Sequence, residues 1–160
     1  MKEILLTQGK VAYVDDKFYE PLRQRGAWHT MLRNRTWYAA RVEYAANGQR
    51  KVISMHTAVW QLAGRQAVQE LDHRNHNGCD NRLTNLRPAT RKQQSQNRRK
   101  RRGSASHFKG VTWFRGKWRA RIGQCYLGQR MSEEAAARLY DEEARRLYGD
   151  FACLNFPEST

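Results

Sequence analysis

Asp72 and His73 stand side by side ahead of a loop crowded with asparagine, and that loop closes on Asn85-Leu86-Arg87. Phosphodiester hydrolysis requires residues of these types. A base must take a proton from water, and a hard divalent cation held by oxygen donors must stabilise the phosphorus and the leaving oxygen. Asp72 is the one acid placed to hold such a cation, and His73, largely neutral near pH 7, is the natural base. Further along, Gln94 and Asn97 offer amide carbonyls three residues apart, on one face of a helix. Neighbouring strand residues point to opposite faces, so joint use of Asp72 and His73 requires the strand to end or bend at His73. Three rival readings use the same residues. An EF-hand loop fails, because Gly78 as its sixth residue puts His73 first and Thr84 where the bidentate Glu belongs. A zinc site on His73, His76 and Cys79 lacks a suitably spaced fourth ligand. A polar loop whose asparagines only satisfy turns needs no chemistry at all.

A second constellation is cationic. Residues 107–131 hold six Lys or Arg and no acid, whereas 132–160 hold three cations and seven acids. Strand alternation puts Val111, Trp113, Trp118, Ala120, Ile122 and Leu127 on one side of a three-stranded sheet. Ala136, Leu139, Tyr140, Ala144 and Leu147 give the covering helix its apolar stripe. The opposite sheet face carries Lys109, Thr112, Phe114, Arg119, Arg121 and Tyr126, flanked by Arg115 and Lys117. Cations interleaved with aromatics on an acid-free face fit duplex DNA, where a sheet can enter the major groove and Arg can pair bidentately with guanine.

The elements that position these groups follow from local signals. Residues 1–54 read as short strands, with Asn47-Gly48 as a two-residue hairpin turn. Trp28, Trp37 and Tyr44 are expected in its core, and Arg33, Arg35 and Arg41 near phosphate. Val59, Trp60 and Leu62 suggest a short helix stopped by Gly64. Thr90 and Gln93 form a capping box that opens the next helix. Residues 98–106 are five consecutive cations (Arg98, Arg99, Lys100, Arg101, Arg102) followed by small residues, and read as a linker whose cations meet phosphate. Strands then span 108–114, 118–122 and 124–127, and Ser132 caps a helix over 132–148 that Gly149 ends.

Over 160 residues, 30 Lys and Arg against 15 Asp and Glu leave a net charge of +15. Such an excess points to a polyanionic partner, nucleic acid first. The 11% aromatic content is far too high for a chain that never packs. No apolar run reaches the roughly 20 residues that span a bilayer, and residues 1–9 lack a signal-peptide core, so an intracellular, cytoplasmic protein is expected. Cys79, Cys125 and Cys153 are too few and too far apart for a disulfide framework.

The block over 55–97, with Asp72-His73, then Asn81-Arg82-Leu83-Thr84-Asn85-Leu86-Arg87 and a Thr-started helix, resembles the HNH endonucleases of the phage and intron homing type. That resemblance implies His73 as general base, Asn85 as the brace of the loop that orients His73, and Asp72 as metal ligand. Gln94 would be the other ligand, standing where relatives carry His or Asn, with Asn97 as its substitute. The implied cofactor is magnesium, with manganese an option and zinc disfavoured. His56 also recurs in position.

Gly110-Val111-x-Trp113, Trp118-x-Ala120-x-Ile122, Leu127-Gly128, the helix Glu134-Ala135-Ala136-Ala137-Arg138-Leu139-Tyr140-Asp141 and Leu154-Asn155-Phe156-Pro157 resemble the Apetala-2/ethylene-response-factor DNA-binding domain. This implies major-groove contacts from Lys109, Gly110, Thr112, Phe114, Arg121 and Tyr126, with Arg119 beside them. Thr112 and Phe114 stand where plant members carry Arg, so the target sequence does not transfer.

The expected fold is α+β. It comprises an N-terminal β-rich region (1–54), an HNH ββα-metal module (55–97), a basic linker (98–106), and a three-stranded antiparallel sheet packed on one helix (107–160). The expected function is a metal-dependent DNA endonuclease that nicks, as a monomer on double-stranded DNA, at a site chosen by the C-terminal sheet. No membrane or small-molecule substrate is expected. The alternative is a sequence-specific DNA-binding regulator with an inactive HNH module.

Overall fold

A computed structural model describes residues 1–100, 103 and 105–157; the linker cations Arg101 and Arg102 lie outside the described residues. The fold is mixed α+β, and the chain divides into two compact units, Met1–Thr90 and Arg91–Thr160.

The first unit is built on small antiparallel sheets. Strands β1 (Lys2–Leu5) and β2 (Val11–Val14) form one ribbon, and helix α1 (Asp16–Gln24) follows it. Strands β3 (His29–Arg33), β4 (Thr36–Tyr44) and β5 (Arg50–Ser54) form a sheet in sequence order. Helix α2 (Met55–Leu62) follows, and a two-stranded ribbon of β6 (Leu71–His73) and β7 (Leu86–Pro88) encloses the asparagine-rich loop. One apolar cluster joins Ile4, Val14, Phe18, Leu22, Trp28, Met55, Val59 and Leu86.

Three expectations are corrected here. Residues 1–54 are not strands alone. Helix α1 contains Pro21, which reads as a breaker, yet Phe18 and Leu22, four apart, bury one face of the helix. Asn47-Gly48 is not a two-residue turn with both residues at positive φ. Only Gly48 has positive φ (76°), within a wider loop closed by Ala45 N–H donating to the Gln49 carbonyl. The two-residue turn with both residues left-handed is Asn34-Arg35, φ 47° and 66°, between β3 and β4. Finally, Tyr44 is 71% exposed at the end of β4, while Trp28 is buried and Trp37 packs against the core.

The second unit opens with the short helix α3 (Arg91–Gln96), directly after Thr90. Strands β8 (Val111–Phe114), β9 (Lys117–Ile122) and β10 (Cys125–Arg130) form an antiparallel sheet with β9 in the centre, and helix α4 (Glu133–Tyr148) packs on it. The Ser132 hydroxyl accepts from Ala135 N–H, and Gly149 ends the helix at φ 50°. Small residues let helix and sheet approach closely: Ala136, Ala137 and Ala144 meet Val111, Ala120 and Ile122. Asp141, 2% exposed, accepts from Asn155 N–H and Phe156 N–H at 2.8 Å each. Asn155 in turn accepts from Lys109 N–H at 2.6 Å, so one buried carboxylate ties the chain's end to the entry of β8.

Trp113 alternates onto the helix side yet is 53% exposed, because the α4 side chains reach Val111, Ala120 and Ile122 and not the turn end of β8. It meets Trp118 edge-on at 5.0 Å instead.

Candidate functional site

The register of β6 and β7 sets Asp72 opposite Arg87 and His73 opposite Leu86. Cross-strand neighbours of opposite charge attract, and Asp72 Oδ2 accepts from Arg87 Nε at 3.0 Å and from a terminal nitrogen at 2.8 Å. Both side chains are largely buried. Strand β6 ends at His73, the condition for Asp72 and His73 to work together.

His73 is buried, and its Nε2 lies 3.3 Å from Asn81 Oδ1. Burial pushes its pKa below the ordinary histidine value, against the pull of Asn81, Asp72 and Asp80. Two further rings stand edge-on to it: Tyr38 at 5.7 Å and His56 at 5.2 Å. Burial, with His73 and Arg33 nearby, brings His56 down to about 3. Its Nδ1 is buried with no hydrogen-bond partner.

The loop after His73 is held by its own amides. Asn85 Nδ2 donates to the Asp80 carbonyl at 2.7 Å, and its Oδ1 accepts from Asn75 N–H at 3.0 Å. Asp80 is 3% exposed and accepts from Arg82 at 2.6 and 2.8 Å and from Asn75 Nδ2 at 2.8 Å. Burial alone would raise the Asp80 carboxyl, but the hydrogen bonds and charge of Arg82, with Asn75, hold it below the usual range. The rest of the unit grips the loop from outside. Tyr13 N–H donates to Cys79 O, Asn81 N–H to Tyr13 O and Leu83 N–H to Asp15 Oδ2, each at 2.8 Å. Gly78 is required by close approach, since a Cβ there would lie 2.5 Å from both the Trp37 carbonyl oxygen and the Tyr38 ring.

Gln94 lies on α3 and Asn97 follows it, partly buried and buried respectively, in the second unit. His73, His76 and Cys79 do not gather as metal ligands, and among the described residues no three of His, Cys, Asp and Glu do. The Arg87 guanidinium engages Asp72 Oδ2, so a divalent cation held through that oxygen would have to share it with Arg87. Sequence reasoning missed Arg87, Asn81 and Tyr38. Their roles depend on cross-strand register and on ring contacts between distant segments, which no local spacing reveals.

The open face of the second unit's sheet is a different kind of site. Lys117, Arg119 and Arg121 alternate along β9 and share one side. Thr112 of β8 and Gln129 of β10 pair with Arg119 from either flank, Phe114 pairs with Lys117, and Tyr126 with Arg121. Thr112, Phe114, Lys117, Arg121 and Tyr126 are all exposed. The turn between β8 and β9 is Arg115-Gly116, left-handed at both residues, which leaves Arg115 outside with its guanidinium 5.2 Å from the Phe114 ring centre. Linker residues Arg98 and Arg99 are exposed as well.

Lys109 is corrected. It was expected on this open face, but its ammonium donates to the Gln96 carbonyl at 2.8 Å and lies 5.9 Å from the Tyr140 ring centre, on the helix side. Burial lowers its pKa. Strand alternation starts only at Val111, because Gly110 has φ 75° and breaks it. Gly110 itself serves packing: a Cβ there would collide with the Tyr140 ring and the Arg121 carbonyl, while its own carbonyl accepts from Arg121 N–H at 2.8 Å.

An antiparallel three-stranded sheet backed by one helix, with a basic and aromatic outer face, defines the class of the second unit. The dehydration-responsive element-binding protein 2E of rice (Oryza sativa subsp. japonica) is 44% identical over 63 residues, covering 34% of this chain and 19% of that protein. This likeness supports the Apetala-2/ethylene-response-factor resemblance. The chain spans about a fifth of the length of that relative. No family model matches the chain, and no solved structure matches it. None of the described helices is long and apolar enough to cross a membrane.

Proposed function

We propose that this protein binds double-stranded DNA through the open face of β8, β9 and β10. One observation carries the reading. Three cations stand in a row on the central strand, on a sheet whose strands contain no acid. Like charges about 7 Å apart repel; the negative charge of phosphate offsets that repulsion, and the counterions released from DNA add to the affinity. The rice relative, a dehydration-responsive element-binding protein, agrees with DNA as the ligand. Gel-shift titration of the full chain on duplex pools tests it. Binding is expected to weaken steeply with salt and to favour some sequences, and equal affinity for every duplex at every salt concentration would refute it.

A second reading is favoured by the loop beneath Asn85. That loop presents a neutral histidine at a strand end beside a carboxylate, the arrangement the HNH resemblance assigns to hydrolysis. In this reading the first unit nicks the DNA that the second unit holds, with His73 accepting the proton from water. The magnesium or manganese implied by the resemblance would be held by Asp72, beside the Arg87 guanidinium on Oδ2. Supercoiled plasmid with magnesium separates the readings. Nicking by the wild type and not by His73→Ala supports the nuclease. No metal-dependent nicking, or equal nicking by both, leaves a DNA-binding regulator.

A further inference from the structure

Asn81 reaches the ring of His73 itself, whereas the bonds of the Asn85 side chain run to the backbone of the loop. Asn81 is fully buried, and its backbone is pinned where its N–H donates to the Tyr13 carbonyl at 2.8 Å. The two ends of its amide are not equivalent. Nδ2 donates to the Cys79 carbonyl at 3.2 Å, and a carbonyl oxygen can only accept, so Oδ1 is the end turned to His73. Turning the amide over would set Oδ1 against the Cys79 oxygen, acceptor against acceptor. An amide oxygen has no hydrogen to give, so Nε2 of His73, 3.3 Å away, carries the hydrogen between them. A neutral imidazole has one N–H, which leaves its lone pair on Nδ1. Tyr38 and His56, edge-on at 5.7 and 5.2 Å, fix the plane of the ring from other sides.

We propose that Asn81 is a positioning residue that fixes His73 as its Nε2–H tautomer and so makes Nδ1 the atom that takes the proton from water. The inference rests on the nuclease reading above and deepens it by naming the reacting atom and what sets it. In that step an O–H bond of water breaks and its proton passes to Nδ1. The oxygen's electron pair bonds to phosphorus, and the leaving oxygen departs with the pair of its own bond to phosphorus. The ring then carries two N–H groups, and Nε2–H stays on Asn81 Oδ1, so the charge that develops on the ring meets an acceptor already in place. With the tautomer reversed, Nδ1 would already hold a hydrogen, and the lone pair would face the Asn81 oxygen.

The test uses the full chain with its histidines labelled in the heavy nitrogen isotope, at about pH 8, where ordinary histidine is neutral. Nitrogen chemical shifts distinguish a protonated ring nitrogen from one that holds a lone pair, and His73→Ala identifies the His73 signals among those of the five histidines. The wild type is expected to show Nε2 protonated and Nδ1 unprotonated. Asn81→Leu keeps the bulk and removes the acceptor, so it is expected to give a mixture of tautomers. In magnesium-dependent nicking of supercoiled plasmid the same variant should lower kcat about ten-fold or more with little change in KM. Asn81→Asp keeps an oxygen toward the ring, and is expected to keep the tautomer and recover most of kcat. All variants are compared below their melting transitions, and if Asn81→Leu does not fold, the wild-type spectrum and Asn81→Asp decide. Hydrogen on Nδ1 in the wild type, an unmoved tautomer in Asn81→Leu, a moved tautomer with unchanged kcat, or a loss carried by KM overturns the proposal. A wild type that shows the expected tautomer and does not nick sinks the nuclease reading instead, and the proton-accepting role of Nδ1 falls with it.

Discussion

Arg87 and Arg82 in the first unit each end on a carboxylate, Asp72 and Asp80, whereas Lys117, Arg119 and Arg121 in the second share a sheet that has no acid in any strand. The amide side chains at the two sites differ in the same way. Asn85, Asn81 and Asn75 spend their amides inside the loop, while Gln129 sits on the open face beside Arg119. Charge in the first unit's loop holds structure, and the cations on the open face of the second unit's sheet are left for something outside the chain. Substitutions in the first unit should therefore appear as lost stability, and those on the sheet face as lost binding.

The largest expected effect breaks the ion pair beneath the loop. Arg87→Ala strands a largely buried Asp72 and should cost about 3–5 kcal/mol in urea unfolding. The loss belongs to the first unit, so DNA binding measured below the unfolding transition should change little. If Arg87→Ala leaves stability intact, the first unit is not closed in the way described.

Acid should separate the units next. His56 in the folded chain binds a proton only near pH 3, whereas unfolded histidine does so near 6.5. Between those values the unfolded state holds more protons, so stability is full above about 6.5 and falls as pH drops. His73 shifts in the same direction. At about 1.4 kcal/mol per pH unit, His56 alone would remove roughly 2–3 kcal/mol between pH 6.5 and 4.5. Melting curves across that range should show the slope, and His56→Leu should flatten it.

What the sequence made legible follows the same divide. In the second unit helix α4, its Ser132 cap, its Gly149 stop and the faces of β9 follow from local periodicity, since each signal lies within a few residues of its consequence. Lys109 and Trp113 were misplaced because a positive φ at Gly110 and the reach of the helix are not local facts. In the first unit Asp72, His73 and Asn85 were visible as types and spacing, and β6 does end at His73. The Arg87 pairing and the Tyr38–His56–His73 cluster were not visible, because the first depends on sheet register and the second on ring contacts between segments up to 35 residues apart. Helix α1 was missed because residues 1–54 read as short strands throughout, and a single buried pair, Phe18–Leu22, in a helix with Pro21 inside it is a weak local signal.

On the sheet face the sign of the expectation reverses. Arg121 is exposed on β9, so Arg121→Ala should move stability by no more than about 0.5 kcal/mol. The same change should reduce discrimination at a particular base pair by about 1–3 kcal/mol in competition binding. A stability loss larger than the binding loss would place Arg121 with the first unit's arginines.

The smallest expected effect sharpens the second half of the comparison by dividing it. Arg99 is exposed in the basic segment ahead of the sheet, outside any strand. A cation there meets phosphate, which is the same at every base pair, so Arg99→Ala should weaken all duplexes alike, by less than about 1 kcal/mol. Its signature is in the salt dependence. Losing one phosphate contact removes one set of released counterions, and the slope of log affinity against log salt should flatten by about 0.9. Arg119→Lys, which keeps its charge, should leave that slope in place while altering one base pair. If Arg99→Ala changes preference between sequences, the linker reads bases too. If instead Arg119→Lys flattens the salt slope with no change in preference, the sheet reads only phosphate.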